Sequence, residues 1–375
     1  MKIVYIVNTL MPTTKAHGYQ IGKTCEKLSI LGNEVELIIP NRKNHVADDL
    51  FEYYGLERNF TVKKIDCPDI IFLSKYIGAM AFYTQSLFFS AKLLFLNLKQ
   101  NSIIYSRDII IIFIFLARGF NVVYNVHNWS KKRKLFSNLF LNKNFKIVCN
   151  SEGTKKDLTN NGFNNIIAVP NGVDLEEYSN LGDKYYLRKK FNLPINKKII
   201  MYVGSFYKWK GIEVVLKSAK LLNNNKDIIF IVVGGNENDL EKYTKNKEIF
   251  KNVLFIGHKP RIEIPSYLKS ADILLLPNTS VTNESVNYTS PIKMFEYMAS
   301  GVPIIASNLP SMREVLNSNN SFLVEPDNSQ LIISGIKKIL NDKDFSDKLA
   351  RRSLEDVKKY TWDEYAAKIL NFIKK

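Results

Sequence analysis

Short β-branched runs alternate with amphipathic stretches along most of this chain, and that alternation predicts an α/β fold. Residues 2–7 read as a strand, 8–17 as a polar loop holding Pro12, and the stretch from Gly18 to about Leu31 as a helix stopped by Gly32-Asn33. A second strand over 35–39 completes a βαβ opening. The polar residues 41–59 predict a mobile surface excursion, 61–65 a strand and 74–99 one long helix. The apolar run 79–98 inside that helix is interrupted by Gln85, Ser86, Ser90, Lys92 and Asn97, so it reads as a buried helix rather than a bilayer span. Residues 109–117 are too few to span a bilayer and fit a buried helix or a buried strand equally. A strand over 122–126 leads directly to His127, and another over 146–149 precedes a helix after Ser151. The turn Val169-Pro170-Asn171-Gly172-Val173-Asp174 closes the first half.

The second half repeats the scheme. A charged helix over 183–191 is broken by Leu193-Pro194, and a strand over 199–203 enters the turn from Gly204 to Gly211. Strands over 228–233 and 253–256 end at Gly234-Gly235 and at Gly257-His258-Lys259-Pro260, and 273–277 opens a polar loop over 278–289. The block from Ser290 to Ala306 organises this half. Ser290 suits an N-cap and Pro291 the first helical position. Ile292, Phe295 and Tyr297-Met298 form an apolar stripe, Gly301 ends the helix, and 302–306 reads as a buried parallel strand. Lys293 lies in the first turn, where the helix dipole disfavours a cation unless an anion is bound. Glu296 follows at i+3 on the same side. Two readings fit this pattern: a phosphate at the helix start with ribose hydroxyls below it, or an exposed Lys–Glu pair on an ordinary helix. Lys210 likewise fits a phosphate ligand or a loop lysine in water. Helices over 331–340 and 344–359, and one starting at Thr361-Trp362, complete the pattern.

Composition adds constraints. A chain of 375 residues, 46% hydrophobic, is long enough for two domains. A net charge of +17 favours anionic partners, although lysine abundance alone would produce the same figure. Cys25, Cys67 and Cys149 have no metal or redox spacing and read as buried thiols of a reducing, cytoplasmic compartment. The first strand begins at once, so no cleavable signal is predicted. Lys131-Lys132-Arg133-Lys134 beside the apolar stretch 135–141 suits an anionic membrane surface, and equally a solvated charge run beside a core helix. The first loop lacks Gly-x-Gly-x-x-Gly, which argues against NAD. Asp342-Lys343-Asp344 formally matches a metal-binding Asp-x-Asp but lies between late helices and reads as a surface turn, so no metal or other cofactor is expected. Charge alone suggests nucleic acid, and no recognition motif supports it.

The order of strand-end His127, Asn171-Gly172-Val173-Asp174, Lys210-Gly211 and Glu296-Tyr297-Met298-Ala299-Ser300-Gly301 resembles the retaining family-four glycosyltransferases, also described as glycosyl transferases group 1. The resemblance implies a GT-B fold, two Rossmann-like parallel-sheet α/β domains facing across a cleft. Residues 1–180, with 361–375 crossing back, would form the acceptor domain, and 181–360 the nucleotide-sugar donor domain. It implies transfer of a sugar from a UDP or GDP donor to the hydroxyl of a glycan or lipid-linked acceptor in cell-surface saccharide synthesis. The family is assigned front-face attack, the leaving phosphate taking the acceptor's proton. By resemblance, His127 lies beside the transferred sugar, Lys210 neutralises the diphosphate and Glu296 binds the ribose. Gly18, Gly204, Ser205 and Lys208 would border the donor phosphates, His258 and Lys259 the base, and Tyr288, Ser290, Pro291, Ile292 and Lys293 the sugar and phosphate. His17, Arg107 and Asn128 fall on the acceptor side. Two departures stand out. Tyr288 occupies the place of the family's first Glu, and Ser205 that of an Arg, leaving Lys208, Lys259 or Lys293 as the second cation. They keep open a sugar-nucleotide epimerase or a non-catalytic nucleotide-sugar-binding protein of the same fold.

Overall fold

The computed structural model describes residues 1–44, 46–78, 80–127, 145–235, 239 and 251–375. They fall into two compact units. Unit 1 is Met1–Asn150, Thr154–Val169 and Trp362–Lys375, and unit 2 is Ser151–Gly153 and Pro170–Thr361.

Unit 1 is built on a seven-stranded sheet of β1 (Lys2–Ile6), β2 (Glu34–Asn41), β3 (Thr61–Asp66), β4 (Ile103–Ser106), β5 (Asn121–Val126), β6 (Lys146–Cys149) and β7 (Ile166–Ala168). Their order is β3-β2-β1-β4-β5-β6-β7 and every pairing is parallel. The order reverses between β1 and β4, and in open parallel sheets the ligand crevice lies at the strand C-termini beside such a reversal. Val4, Ile6, Ile38, Ile104, Val122 and Tyr124 line the core.

Unit 2 has six strands, β8 (Lys198–Val203), β9 (Ile228–Val233), β10 (Val253–Gly257), β11 (Ile273–Leu276), β12 (Ile304–Ser307) and β13 (Phe322–Val324). The order is β10-β9-β8-β11-β12-β13, again all parallel, with its reversal between β8 and β11. Both faces of this sheet are covered, so its strands are apolar without alternation. Val173 and Tyr178 belong to this second core. The main body of unit 2 therefore begins at Pro170, eleven residues before the start at 181 read from the sequence.

Six helices matter below: α1 (Ala16–Ile30), α2 (Met80–Leu94), α3 (Ile109–Ala117), α4 (Ile212–Leu221), α5 (Ile292–Ala299) and α6 (Trp362–Lys374). Helix α6 packs on α1 within unit 1, where the fully buried Trp362 ring stands edge-on to Tyr19 at 5.9 Å.

Three sequence expectations change. The excursion over 41–59 contains the helix Leu50–Tyr54, capped by Asp49, and its Tyr54 hydroxyl is tied to the Thr13 backbone. The long helix expected over 74–99 is broken at Gly78, whose left-handed φ of +55° ends the short helix Ser74–Ile77. Helix α2 follows and ends at Leu94, and one of its faces is exposed rather than buried. The ambiguous run 109–117 is a helix, started by the Asp108 carboxylate accepting from the Ile110 N–H at 2.9 Å. Among the described residues, no helix is long and apolar enough to cross a membrane.

Candidate functional site

The C-terminal ends of β8, β9 and β10 come together through backbone alone. Gly204 N–H donates to the Val233 carbonyl at 2.9 Å, and Gly234 N–H to the Gly257 carbonyl at 2.7 Å. A Cβ on Gly234 would stand 2.5 Å from the Gly204 carbonyl oxygen, so side chains are excluded there and peptide groups line the surface.

Past Gly204 the chain turns through the 3₁₀ helix Lys208–Lys210 into α4. Gly211 takes a left-handed φ of +80°, and a Cβ on it would fall on the Pro277 carbonyl oxygen. The Thr279 N–H bonds the Trp209 carbonyl at 2.9 Å, clamping this turn to the loop after β11. Held in that frame, Lys210 Nζ donates to Ser205 Oγ at 2.7 Å and lies over the rings of Tyr207 and Trp209. Burial lowers the Lys210 pKa to about 8. Lys208 is exposed.

Helix α5 supplies the second lysine. Lys293 is buried, and its Nζ sits 4.5 Å from the centroid of the Tyr202 ring with no hydrogen-bond partner. The site of a Cβ on Gly204 would be 3.7 Å from that Nζ. Burial first, then the nearby Lys210 cation, pushes the Lys293 pKa well below its ordinary value, with Glu296 opposing. Two ammonium groups therefore converge beside Gly204 and, among the described residues, no carboxylate is bonded to either. Such a place favours an anion.

The start of α5 differs in detail from the sequence reading. Pro291, with ψ 131°, is the N-cap and the first helical residue is Ile292. Ser290 does not cap the helix: its hydroxyl accepts from the Asn171 N–H at 3.2 Å, and its carbonyl accepts from the Asn171 side chain. This ties the Asn-Gly-Val-Asp turn to α5 and leaves the helix start without a side-chain cap. The exposed Lys–Glu pair is also excluded, because Lys293 and Glu296 are only 9% and 5% exposed. Glu296 instead bonds Arg261, whose guanidinium also lies 3.6 Å from Glu177. Sequence reasoning stopped at Pro260, one residue short of Arg261. Tyr202, the ring beneath Lys293, was passed over as a strand residue.

The remaining unit 2 candidates are scattered around this centre. Ile292 is buried, Ser205 and Lys259 are half-buried and His258 is exposed on the loop after β10. Tyr288 ends the turn Glu284–Tyr288, and its hydroxyl accepts from the Asn283 amide at 3.2 Å. Glu284 is exposed. Asp342 is not a turn ligand: it caps the helix Lys343–Asp356 and pairs with Lys338. Among the described residues, no group of three or more His, Cys, Asp or Glu side chains is placed to hold a metal ion.

In unit 1, His127 ends β5 with Nε2 2.7 Å from the Asn125 amide oxygen and 3.4 Å from Gln20. The nearer contact assigns the proton to Nε2. His17, in the first turn of α1, is half-buried with no partner at Nε2. Burial, then Arg107 and Lys15, lower its pKa to about 4, so it is neutral at pH 7. Arg107 follows β4 at the sheet reversal, with a buried terminal nitrogen that has no partner. Gly18 is filled from within: a Cβ there would collide with the Tyr54 hydroxyl and approach Thr13 to 2.6 Å. Asn128 and the basic run 131–134 lie outside the described residues.

Comparison with known proteins gives two family matches. Residues 183–356 match the model described as Glycosyl transferases group 1, and residues 20–177 the one described as Glycosyltransferase Family 4. A relative from Escherichia coli, UDP-Gal:alpha-D-GlcNAc-diphosphoundecaprenol alpha-1,3-galactosyltransferase, is 30% identical over 186 residues, covering 48% of this chain and 46% of the relative. An uncharacterized glycosyltransferase of Methanocaldococcus jannaschii is 26% identical over 234 residues, covering 60% and 56%. The chain spans about half the length of the curated relatives it matches. Among solved structures, Anabaena HepE in complex with UDP-glucose superposes with a TM-score of 0.74 at 17% identity, covering 100% of this chain and 99% of that one. That likeness shows the fold.

Proposed function

We propose, on the premise that the chain belongs to the family-four, group 1 glycosyltransferases, that it moves a sugar from a UDP-linked donor to an acceptor hydroxyl with retention of anomeric configuration. One observation carries the reading: the buried ammonium of Lys293 and the half-buried one of Lys210 converge beside Gly204 with, among the described residues, no bonded carboxylate. Breaking the anomeric bond develops negative charge on the departing diphosphate and positive charge on the sugar. Two cations in a desolvated pocket offset the former far better than they would in water. The uncapped start of α5 adds backbone N–H groups to the same pole. Glu296, one turn below, accepts from the ribose hydroxyls, and Arg261 orients its carboxylate.

UDP is preferred over GDP because the Escherichia coli relative is named for UDP-Gal and the Anabaena structure holds UDP-glucose. The diphosphoundecaprenol substrate in that relative's name supports a lipid-linked acceptor. The two lysines supply the charge often taken by a metal ion, so turnover is expected to survive EDTA. Tyr288 and Ser205, which replace a carboxylate and a guanidinium of the resembled pattern, favour one second reading, a protein that binds or epimerises the nucleotide sugar. The test is incubation with radiolabelled UDP-sugars, with and without a polyprenyl-diphosphate saccharide. Label moving to the lipid, with UDP released only when lipid is present, supports transfer. UDP released equally without lipid, or an epimerised nucleotide sugar, overturns it.

A further inference from the structure

Helix α2 is apolar on two opposite sides. Ala81, Phe89 and Leu93 face the sheet and are fully buried. Met80, Tyr83 and Leu87, which share the other face by their spacing, are 67%, 65% and 59% exposed. The flanking chain adds Phe72 and Tyr76 before the helix and Phe95 after it, which are 62%, 83% and 87% exposed. Single exposed apolar residues are ordinary, but six within 24 residues of chain form a patch that marks an interaction surface.

Charge selects the partner. Between Asp69 and Asp108 the sequence holds no acidic residue, while the exposed Lys75, Lys92 and Lys99 are cationic. Asp108 is itself the only acid between Asp69 and Glu152, and it is engaged as the cap of α3. We infer that this face of unit 1 lies on an anionic lipid bilayer, with Phe72, Tyr76, Met80, Tyr83, Leu87 and Phe95 entering the headgroup boundary and the lysines meeting lipid phosphates. A second copy docking through the same face would bring like charge against like charge. Aromatic side chains with basic neighbours are the composition of an interfacial helix. The absence, among the described residues, of any helix able to span the membrane fits a helix lying in the plane. This inference rests on the surface of unit 1 and stands apart from the transfer reading.

The test is cosedimentation of the full chain with phosphatidylglycerol–phosphatidylcholine vesicles and with pure phosphatidylcholine vesicles. Binding is expected to the anionic vesicles alone, weakening as salt is raised. A triple variant, Tyr83→Ser with Leu87→Ser and Phe95→Ser, is expected to lower partitioning by more than about tenfold while keeping the parent's unfolding temperature, since these side chains are exposed. A separate Phe95→Trp variant reports insertion directly, through new tryptophan emission quenched by brominated lipid. Equal binding of the triple variant and the parent overturns the inference. So does failure of the parent to bind, or a dimer in the parent that the triple variant converts to monomer. The last result would assign the face to a second copy.

Discussion

The ammonium of Lys293 rests 4.5 Å from the centroid of the Tyr202 ring, buried and without a hydrogen-bond partner. A desolvated cation–π contact contributes about 2 kcal/mol, less than the several kcal/mol lost when a charge leaves water. Lys293→Met should therefore stabilise the unliganded protein, by about 1–3 kcal/mol near neutral pH, and remove the thermal shift produced by UDP. The pH dependence follows from its depressed pKa. Between the lowered folded value and the ordinary 10.5 of the unfolded chain, the unfolded state holds a proton the folded state has lost. Stability thus rises with pH across that window. Chemical denaturation from pH 6 to 10 should show a shallower rise in the variant.

Lys210 makes the same argument visible in binding. Its pKa of about 8 will be raised by a bound diphosphate, so UDP binding takes up a proton once the free protein has lost it. The Lys210 contribution to UDP affinity should be flat below pH 8 and fall above it, by up to about tenfold per pH unit. Isothermal titration in buffers of different ionisation enthalpy would measure the proton uptake. No uptake at pH 9 would remove Lys210 from the diphosphate site.

Arg261 and Glu296 divide a third expectation. Glu296→Gln keeps the shape and removes the charge that holds ribose hydroxyls, so UDP should bind about 10- to 100-fold more weakly while inorganic pyrophosphate binds unchanged. Arg261→Ala leaves the Glu296 carboxylate buried without its partner and should lower stability by about 1–3 kcal/mol. Arg261→Lys should recover part of that loss. Equal loss of UDP and pyrophosphate in Glu296→Gln would contradict the ribose assignment.

The parts of this site that are local in sequence were legible. The run from Gly301 to Ala306 announced a helix end and a buried strand, and Lys210 could be placed because a glycine-bounded turn ties it to the end of β8. What depends on contact across the fold was not. The Arg261–Glu296 pair joins residues 35 apart, and no local pattern marks it. Ser290 has the chemistry of a cap, but its hydroxyl is taken by Asn171, 119 residues away. The error over α2 has another origin. An apolar helix is normally read as buried, and periodicity cannot tell that the side chains on one of its faces are exposed.

Gly211 gives a stability prediction independent of any ligand. Its φ of +80° disfavours every side chain, and a Cβ would meet the Pro277 carbonyl, which is backbone and cannot swing aside. Gly211→Ala should cost at least about 2 kcal/mol, beyond the roughly 1 kcal/mol of left-handed strain alone. Urea unfolding would measure it. A change below about 0.5 kcal/mol would show that the turn relaxes freely.

Trp362 has a consequence for biosynthesis. The side chain that covers Tyr19 is not made until all of Pro170–Thr361 has been translated. At ordinary elongation speeds unit 1 waits on the order of ten seconds or more, its sheet already threaded but the α6-facing side of α1 still uncovered. Chaperones that shield nascent apolar surface would meet this protein at Tyr19 and its neighbours, and release would come only when α6 leaves the ribosome.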